Sequence, residues 1–187
     1  MTALKIIAPF DGWCAPLDEV PDPVFAGRLL GDGLAIDPTS GIVTAPCDGE
    51  IITLPASGHA VSIRSLHVDV LIHIGIDTVQ LGGRGFDPRV KPGARVKAGD
   101  ELIRFDLDVV ARGAKSLMTP IVVTSEGAIF QNRRGAGSVR AGELLFEVGI
   151  DASRLSTPQP LPIDWPGPFD TKVQGGAQQR TVVITLR

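Results

Sequence analysis

Three histidines fall within fifteen positions of this 187-residue chain, His59, His67 and His73, and there are no others. His73 sits inside the β-branched run VLIHIGIDTV (Val70–Val79), and His59 stands at the entrance to the preceding run, in SGHAVSI. Read as strands, both runs alternate between two faces. Val68, Val70, Ile72, Ile74 and Ile76 share the expected core face, while His67, Asp69, Leu71 and His73 share the other, expected to face solvent. A hairpin turning at Ser65–His67 makes the strands antiparallel and brings His59 and His73 nearly level. Near neutral pH an imidazole is a nucleophile, a proton carrier or a metal ligand. Three uses of the pair stand open. One ring could attack an activated phosphoryl group while the other hydrogen-bonds its oxygens. The pair could bind zinc with further ligands, Asp69 and Asp77 being the nearest. Each ring could instead be satisfied by backbone alone. His67, at a turn, is solvated and needs no role.

The elements that must position these rings are short. β-rich segments separated by Gly, Pro and Asp run from about residue 4 to 150: Lys5–Ala8, Leu34–Asp37, Gly41–Ala45, Gly49–Leu54, Ala60–Arg64, Val68–Gly75, Glu101–Phe105, Ile121–Ser125 and Leu144–Gly149. Such spacing predicts an all-β fold, an antiparallel sandwich or flattened barrel. Two short helical segments are expected. One starts at Asp22-Pro23 and stops at Gly31; the other is capped by Asp106 or Asp108. Two echoes recur: APFDG (Ala8–Gly12) as APCDG (Ala45–Gly49), and VKAGDELIRF (Val96–Phe105) as VRAGELLFEV (Val139–Val148). A hairpin used more than once would explain both.

Composition narrows the classes. The net charge of −3 lacks the basic excess expected of a nucleic-acid binder. No leader and no apolar run of membrane-spanning length appears, so no membrane insertion is expected. Cys14 and Cys47 lack CxxC spacing and read as reduced structural thiols of a cytoplasmic protein. The expected organisation is one domain over 1–150, a Pro/Gly-rich linker over 151–179, and an alternating strand, RTVVITLR, over 180–187.

VLIHIGIDTVQLGGRGF (Val70–Phe86), preceded by GHAVSI (Gly58–Ile63), resembles the active site of the glucose-type IIA domains of the bacterial phosphoenolpyruvate-dependent sugar phosphotransferase system. The resemblance continues through DPVFAGRLLGDGLAIDP (Asp22–Pro38), APCDGEI (Ala45–Ile51), VKAGDELIRFDL (Val96–Leu107), AKSLMTPIVVT (Ala114–Thr124) and GSVRAGELLFEV (Gly137–Val148). It covers residues 5–149, with the motifs in family order. One departure is a histidine-to-histidine hairpin a residue shorter than in the best-known members. The resemblance implies a β-sandwich in which His73 is phosphorylated at Nε2 and His59 supports the phosphoryl group. It also implies a histidine phosphocarrier protein (HPr) as donor and a sugar-specific IIB domain as acceptor, with no cofactor required. Zinc at His59 and His73 is the alternative, as a regulatory binding module completed by a partner's carboxylate.

The chemistry sets further expectations. A nucleophilic nitrogen must be unprotonated, so the other ring nitrogen should donate to a fixed acceptor, for which the Gly75 carbonyl is the candidate. Ser57 is the candidate to orient His59. Asp77 is expected either at the rim, meeting a basic partner, or simply as a turn residue. Exposed phosphohistidine hydrolyses, so transfer needs a water-poor contact surface. Val24, Phe25, Leu29, Leu30, Leu71 and Val79 are the candidates for that partner-binding surface. A zinc peptidase reading lacks an HxH pair, and a lipoyl or biotinyl carrier lacks the expected turn around Lys115. RTVVITLR resembles the first strand of the phosphocarrier protein, as in chains that fuse a IIA domain to HPr and enzyme I.

Overall fold

The structure, a computed structural model, describes residues 3–150; the expected linker and the strand at 180–187 lie outside the described residues. In chain order the strands are β1 (Leu4–Ile7), β2 (Gly12–Pro16), β3 (Asp32–Pro38), β4 (Ile42–Thr44), β5 (Gly49–Thr53), β6 (Ala60–Ser65) and β7 (Val68–His73). There follow β8 (Phe86–Pro88), β9 (Arg95–Val96), β10 (Glu101–Phe105), β11 (Thr119–Val123), β12 (Ala128–Gln131), β13 (Gly137–Val139) and β14 (Leu144–Ile150). Every strand pair among the described residues is antiparallel, and the sandwich expected from the strand count forms. One sheet runs β13-β2-β3-β11-β7-β6-β5-β9; two smaller sheets run β1-β14-β12 and β4-β10-β8. The main core is filled by Ile6, Phe10, Ile36, Ile63, Ile72 and Phe146 among others, all essentially without solvent contact. No helix among the described residues is long and apolar enough to cross a membrane.

The two sequence echoes turn out to be each other's scaffolding. Ala8 N–H donates to Glu143 O (2.7 Å) and accepts from Gly142 N–H at its carbonyl (2.9 Å); Ala45 does the same with Asp100 (2.8 Å) and Gly99 (2.9 Å). Asp11 caps Ala141 N–H at 2.7 Å as Asp48 caps Ala98 N–H at 2.8 Å. Each APxDG segment therefore docks on a remote xxAGxxL turn, in place of the local hairpin expected. The paired pieces end the large sheet at both edges, β13 on β2 and β9 on β5.

Two corrections bear on the site. The first helix, α1 (Pro23–Ala26), is capped by Asp22, whose side chain accepts from Val24 N–H (2.8 Å) and Phe25 N–H (3.3 Å), but it ends well before Gly31. The left-handed Arg28 (φ 55°) breaks it. The outer face of β7 is also not open to solvent. Leu17, Val20, Phe25, Ala35, Ile76 and Val122 form a second apolar cluster there, against which Leu30, Leu71 and Met118 pack. Ile76 thus joins this cluster and not the main core that holds Ile72 and Ile74, with the left-handed Gly75 (φ 66°) breaking the alternation just before it.

Candidate functional site

β6 and β7 pair from Ser65↔Val68 to Ala60↔His73, so the turn is the two residues Leu66–His67, the first of them left-handed (φ 55°). That register sets His59 one step beyond His73, level with Ile74, whose N–H donates to His59 O (2.8 Å). The two rings meet edge to face, with centroids 5.0 Å apart and planes at 74°. Both are nearly enclosed: His59 is 3% and His73 8% exposed. This burial overturns the solvent-facing expectation for His73, since α1 folds over the strand and the Phe25 ring lies 5.4 Å from the imidazole.

Each ring has one nitrogen engaged by a near neighbour. His73 Nδ1 lies 2.7 Å from Gly75 O, and a carbonyl can only accept, so Nδ1 carries the hydrogen and the neutral ring keeps its lone pair on Nε2. His59 Nδ1 lies 2.6 Å from Ser57 Oγ, a hydroxyl able to donate or accept. Burial, and then the neighbouring His73 charge, holds His59 down at about 3. Burial also lowers His73, opposed by the Gly75 carbonyl and by the Asp22 and Asp77 carboxylates. Two neutral imidazoles therefore share the site at neutral pH.

The surrounding rim is uneven. Val24 and Phe25 are buried, Leu30, Leu71 and Val79 half-buried, and Leu29 is 62% exposed. Asp77 serves as the left-handed turn (φ 62°) into a 3-10 helix, Thr78–Leu81, and its side chain makes no capping bond there. Asp69, weighed as a metal ligand, is instead clasped by Arg64 through two bonds of 2.6 Å. Among the described residues no group of three or more His, Cys, Asp or Glu gathers to hold a metal, so neither Asp69 nor Asp77 completes a set with the histidines.

Sequence reasoning missed two threonines. Thr78 and Thr119 are fully buried and bond the two ends of the Ile74–Gly75 peptide, its carbonyl and its N–H. A hydroxyl inside the apolar run TPIVV was the available signal. Gly75 itself has no room for a side chain: a Cβ would stand 2.8 Å from Thr78 Cγ2 and 2.9 Å from Ser116 O. We expect Gly75→Ala to destabilise the protein by about 2 kcal/mol or more in urea unfolding, from the left-handed backbone and the overlap together.

The comparisons with known proteins agree on one family. Residues 4–129 match the family model for the phosphoenolpyruvate-dependent sugar phosphotransferase system, EIIA 1. The glucose-specific EIIA component of that system in Bacillus anthracis is 51% identical over 153 residues, 81% of this chain and 86% of that one. The Halalkalibacterium halodurans glucose-specific EIIA component is 44% identical, over 74% of this chain and 81% of its own. The solved glucose permease IIA of Mycoplasma capricolum superposes with a TM-score of 0.76 at 40% identity, covering 79% of this chain and 96% of that one.

Proposed function

Because the chain belongs to the EIIA 1 family of the phosphoenolpyruvate-dependent sugar phosphotransferase system and is a phosphotransferase component of it, we propose that His73 is the residue that carries the phosphoryl group. The observation that supports this most is the Nδ1–H of His73 held by Gly75 O beside a second neutral ring. The Nε2 lone pair attacks phosphorus on the donor's phosphohistidine. As the new N–P bond forms, the old one breaks and its electron pair returns to the donor's ring nitrogen. The His73 ring, now bonded at both nitrogens, takes up the positive charge that the donor ring gives up. Gly75 O shares that charge through Nδ1–H, and the Asp22 and Asp77 carboxylates favour it at longer range. With Ser57 donating to Nδ1, His59 keeps a hydrogen on Nε2 for the transferring oxygens. The apolar rim of Phe25, Leu29, Leu30, Leu71 and Val79 closes on the partner and keeps water out.

The donor in this reading is HPr and the acceptor a IIB domain of a sugar permease. Glucose is the proposed sugar, on the names of the relatives, and N-acetylglucosamine the alternative. No metal enters the exchange; zinc at His59 and His73 would need a partner's carboxylate, and metal content measured on the phosphorylated protein checks this. RTVVITLR supports a further reading, that the chain is the leading part of a fusion with HPr and enzyme I, which the codons after Arg187 in the parent gene decide.

Radiolabelled phosphoenolpyruvate, enzyme I and HPr should place an acid-labile, alkali-stable label on the peptide holding His73. A label confined to another residue, or none, refutes the assignment. The pH response follows from the same rings. Both sit below the ordinary value of 6.5, so the unfolded chain binds protons that the folded one refuses once the pH drops under 6.5. Stability is therefore full above that pH and declines below it toward about 3, the folded value for His59. The slope should reach about 1.4 kcal/mol per pH unit from His59, with His73 adding in the same direction, read from urea unfolding at a series of pH values.

A further inference from the structure

The hydrogen on His73 Nδ1 is worth only as much as the carbonyl that receives it, and that carbonyl belongs to a short, left-handed connection. The two peptide planes flanking Gly75 are pinned at three points. In the first plane, Ile74 O accepts from Thr78 Oγ1–H (2.7 Å), while Gly75 N–H donates to Thr119 Oγ1 (3.2 Å). In the second, Ile76 N–H donates to Ser116 O (2.8 Å), which leaves Gly75 O aimed at the ring. The Thr119 hydroxyl spends its own hydrogen on Leu117 O (2.9 Å), so it can only accept from Gly75. Both threonines have no solvent contact.

A buried hydroxyl costs stability unless bonded, and valine would fill either place with nearly the same shape. Thr119 opens a strand whose other residues, Pro120 to Val123, are all apolar. Neither threonine hydrogen-bonds the imidazole. What the two hydroxyls hold in common is the orientation of one peptide plane, and through it the direction of Gly75 O.

Resting on the reading of His73 as phosphoryl acceptor, we propose that Thr119 and Thr78 are positioning residues for the transfer: they clamp the Ile74–Gly75 peptide so that His73 keeps its hydrogen on Nδ1 and its lone pair on Nε2. Loosening the clamp frees the ring to populate the other tautomer, in which Nε2 carries the hydrogen and cannot attack phosphorus.

The test compares Thr119→Val, Thr78→Val and the conservative Thr119→Ser with the unaltered chain, reading ring nitrogen shifts of His73 and the rate of phosphoryl uptake from phosphorylated HPr. Each valine variant should slow uptake about tenfold, the size of one lost hydrogen bond, while Thr119→Ser stays within about twofold of the original. The nitrogen spectrum should show an Nε2–H fraction of His73 appearing in the valine variants and absent in Thr119→Ser, with His59 unchanged. Valine variants that keep both the rate and the single tautomer overturn the proposal. Should a valine variant unfold, the unaltered protein decides: the claim requires a slowly exchanging Gly75 N–H, and rapid exchange overturns it. The two readings fail separately. Label found away from His73 removes the functional reading and leaves the tautomer result intact, whereas an undisturbed tautomer removes only the clamp.

Discussion

A His73→Gln chain should take up no phosphoryl group from phosphorylated HPr, at any concentration of donor and on any timescale over which the unaltered chain is fully labelled. Glutamine occupies similar space, and its amide nitrogen has no lone pair available for attack because that pair is delocalised into the carbonyl. Its amide takes the place of the ring Nε2 rather than of Nδ1, so the bond to Gly75 O is lost, but Thr78, Thr119 and Ser116 still hold the connection over Ile74–Ile76. The loss should therefore be chemical rather than structural. Urea unfolding of the variant, run beside the labelling assay, separates the two, and measurable label on a folded His73→Gln protein refutes the assignment.

His59→Phe should give the second largest effect, and a different one. The ring remains, and so does the edge-to-face packing on His73, now 5.0 Å between centroids. What disappears is the Nε2–H that the proposed function assigns to the transferring oxygens. Removing one donor from a developing phosphoryl charge costs about 10²–10³-fold in rate. Transfer should slow in both directions, toward the chain and onward to a IIB domain, while His73 still becomes labelled at long times. The partition matters: a slow but complete label identifies His59 as a stabilising donor, whereas an unchanged rate would reduce it to packing. Because burial lowers His73 below its ordinary value, its Nε2 lone pair stays free and the unaltered chain should also keep its uptake rate as the pH falls to 6.5.

Much of this site was legible because its parts are close in sequence. Gly75 is two residues after His73 and Ser57 two before His59, so local geometry alone brings each ring to its partner. The Asp22-Pro23 helix start and the Asp106 cap of the helix Leu107–Gly113 were equally local, being side chains that bond backbone two or three residues on. The short strands β2, β8, β9, β12 and β13 escaped notice, since two to five residues give alternation too few periods to register. The echoes were visible as repeats, yet not as docking partners, because Asp11 meets Ala141 across 130 residues and Asp48 meets Ala98 across 50.

By itself, then, the order of residues determined the β-rich chain, the hairpin that brings two imidazoles together, and the hydrogen-bond partner of each ring. Only the tertiary structure decided how dry the pair is and how its lone pair is aimed. A period of two says which side chains share a face and nothing about what later covers that face, and here α1 covers it with Phe25. The clamp on Gly75 likewise depends on Thr119, 44 residues away, arriving on a neighbouring strand. A long-range contact of that kind leaves no periodic trace, which is why Thr119 came to light only once the sheet was assembled, whereas Thr78 bonds Ile74 O only four residues away, in a turn that alternation does not describe.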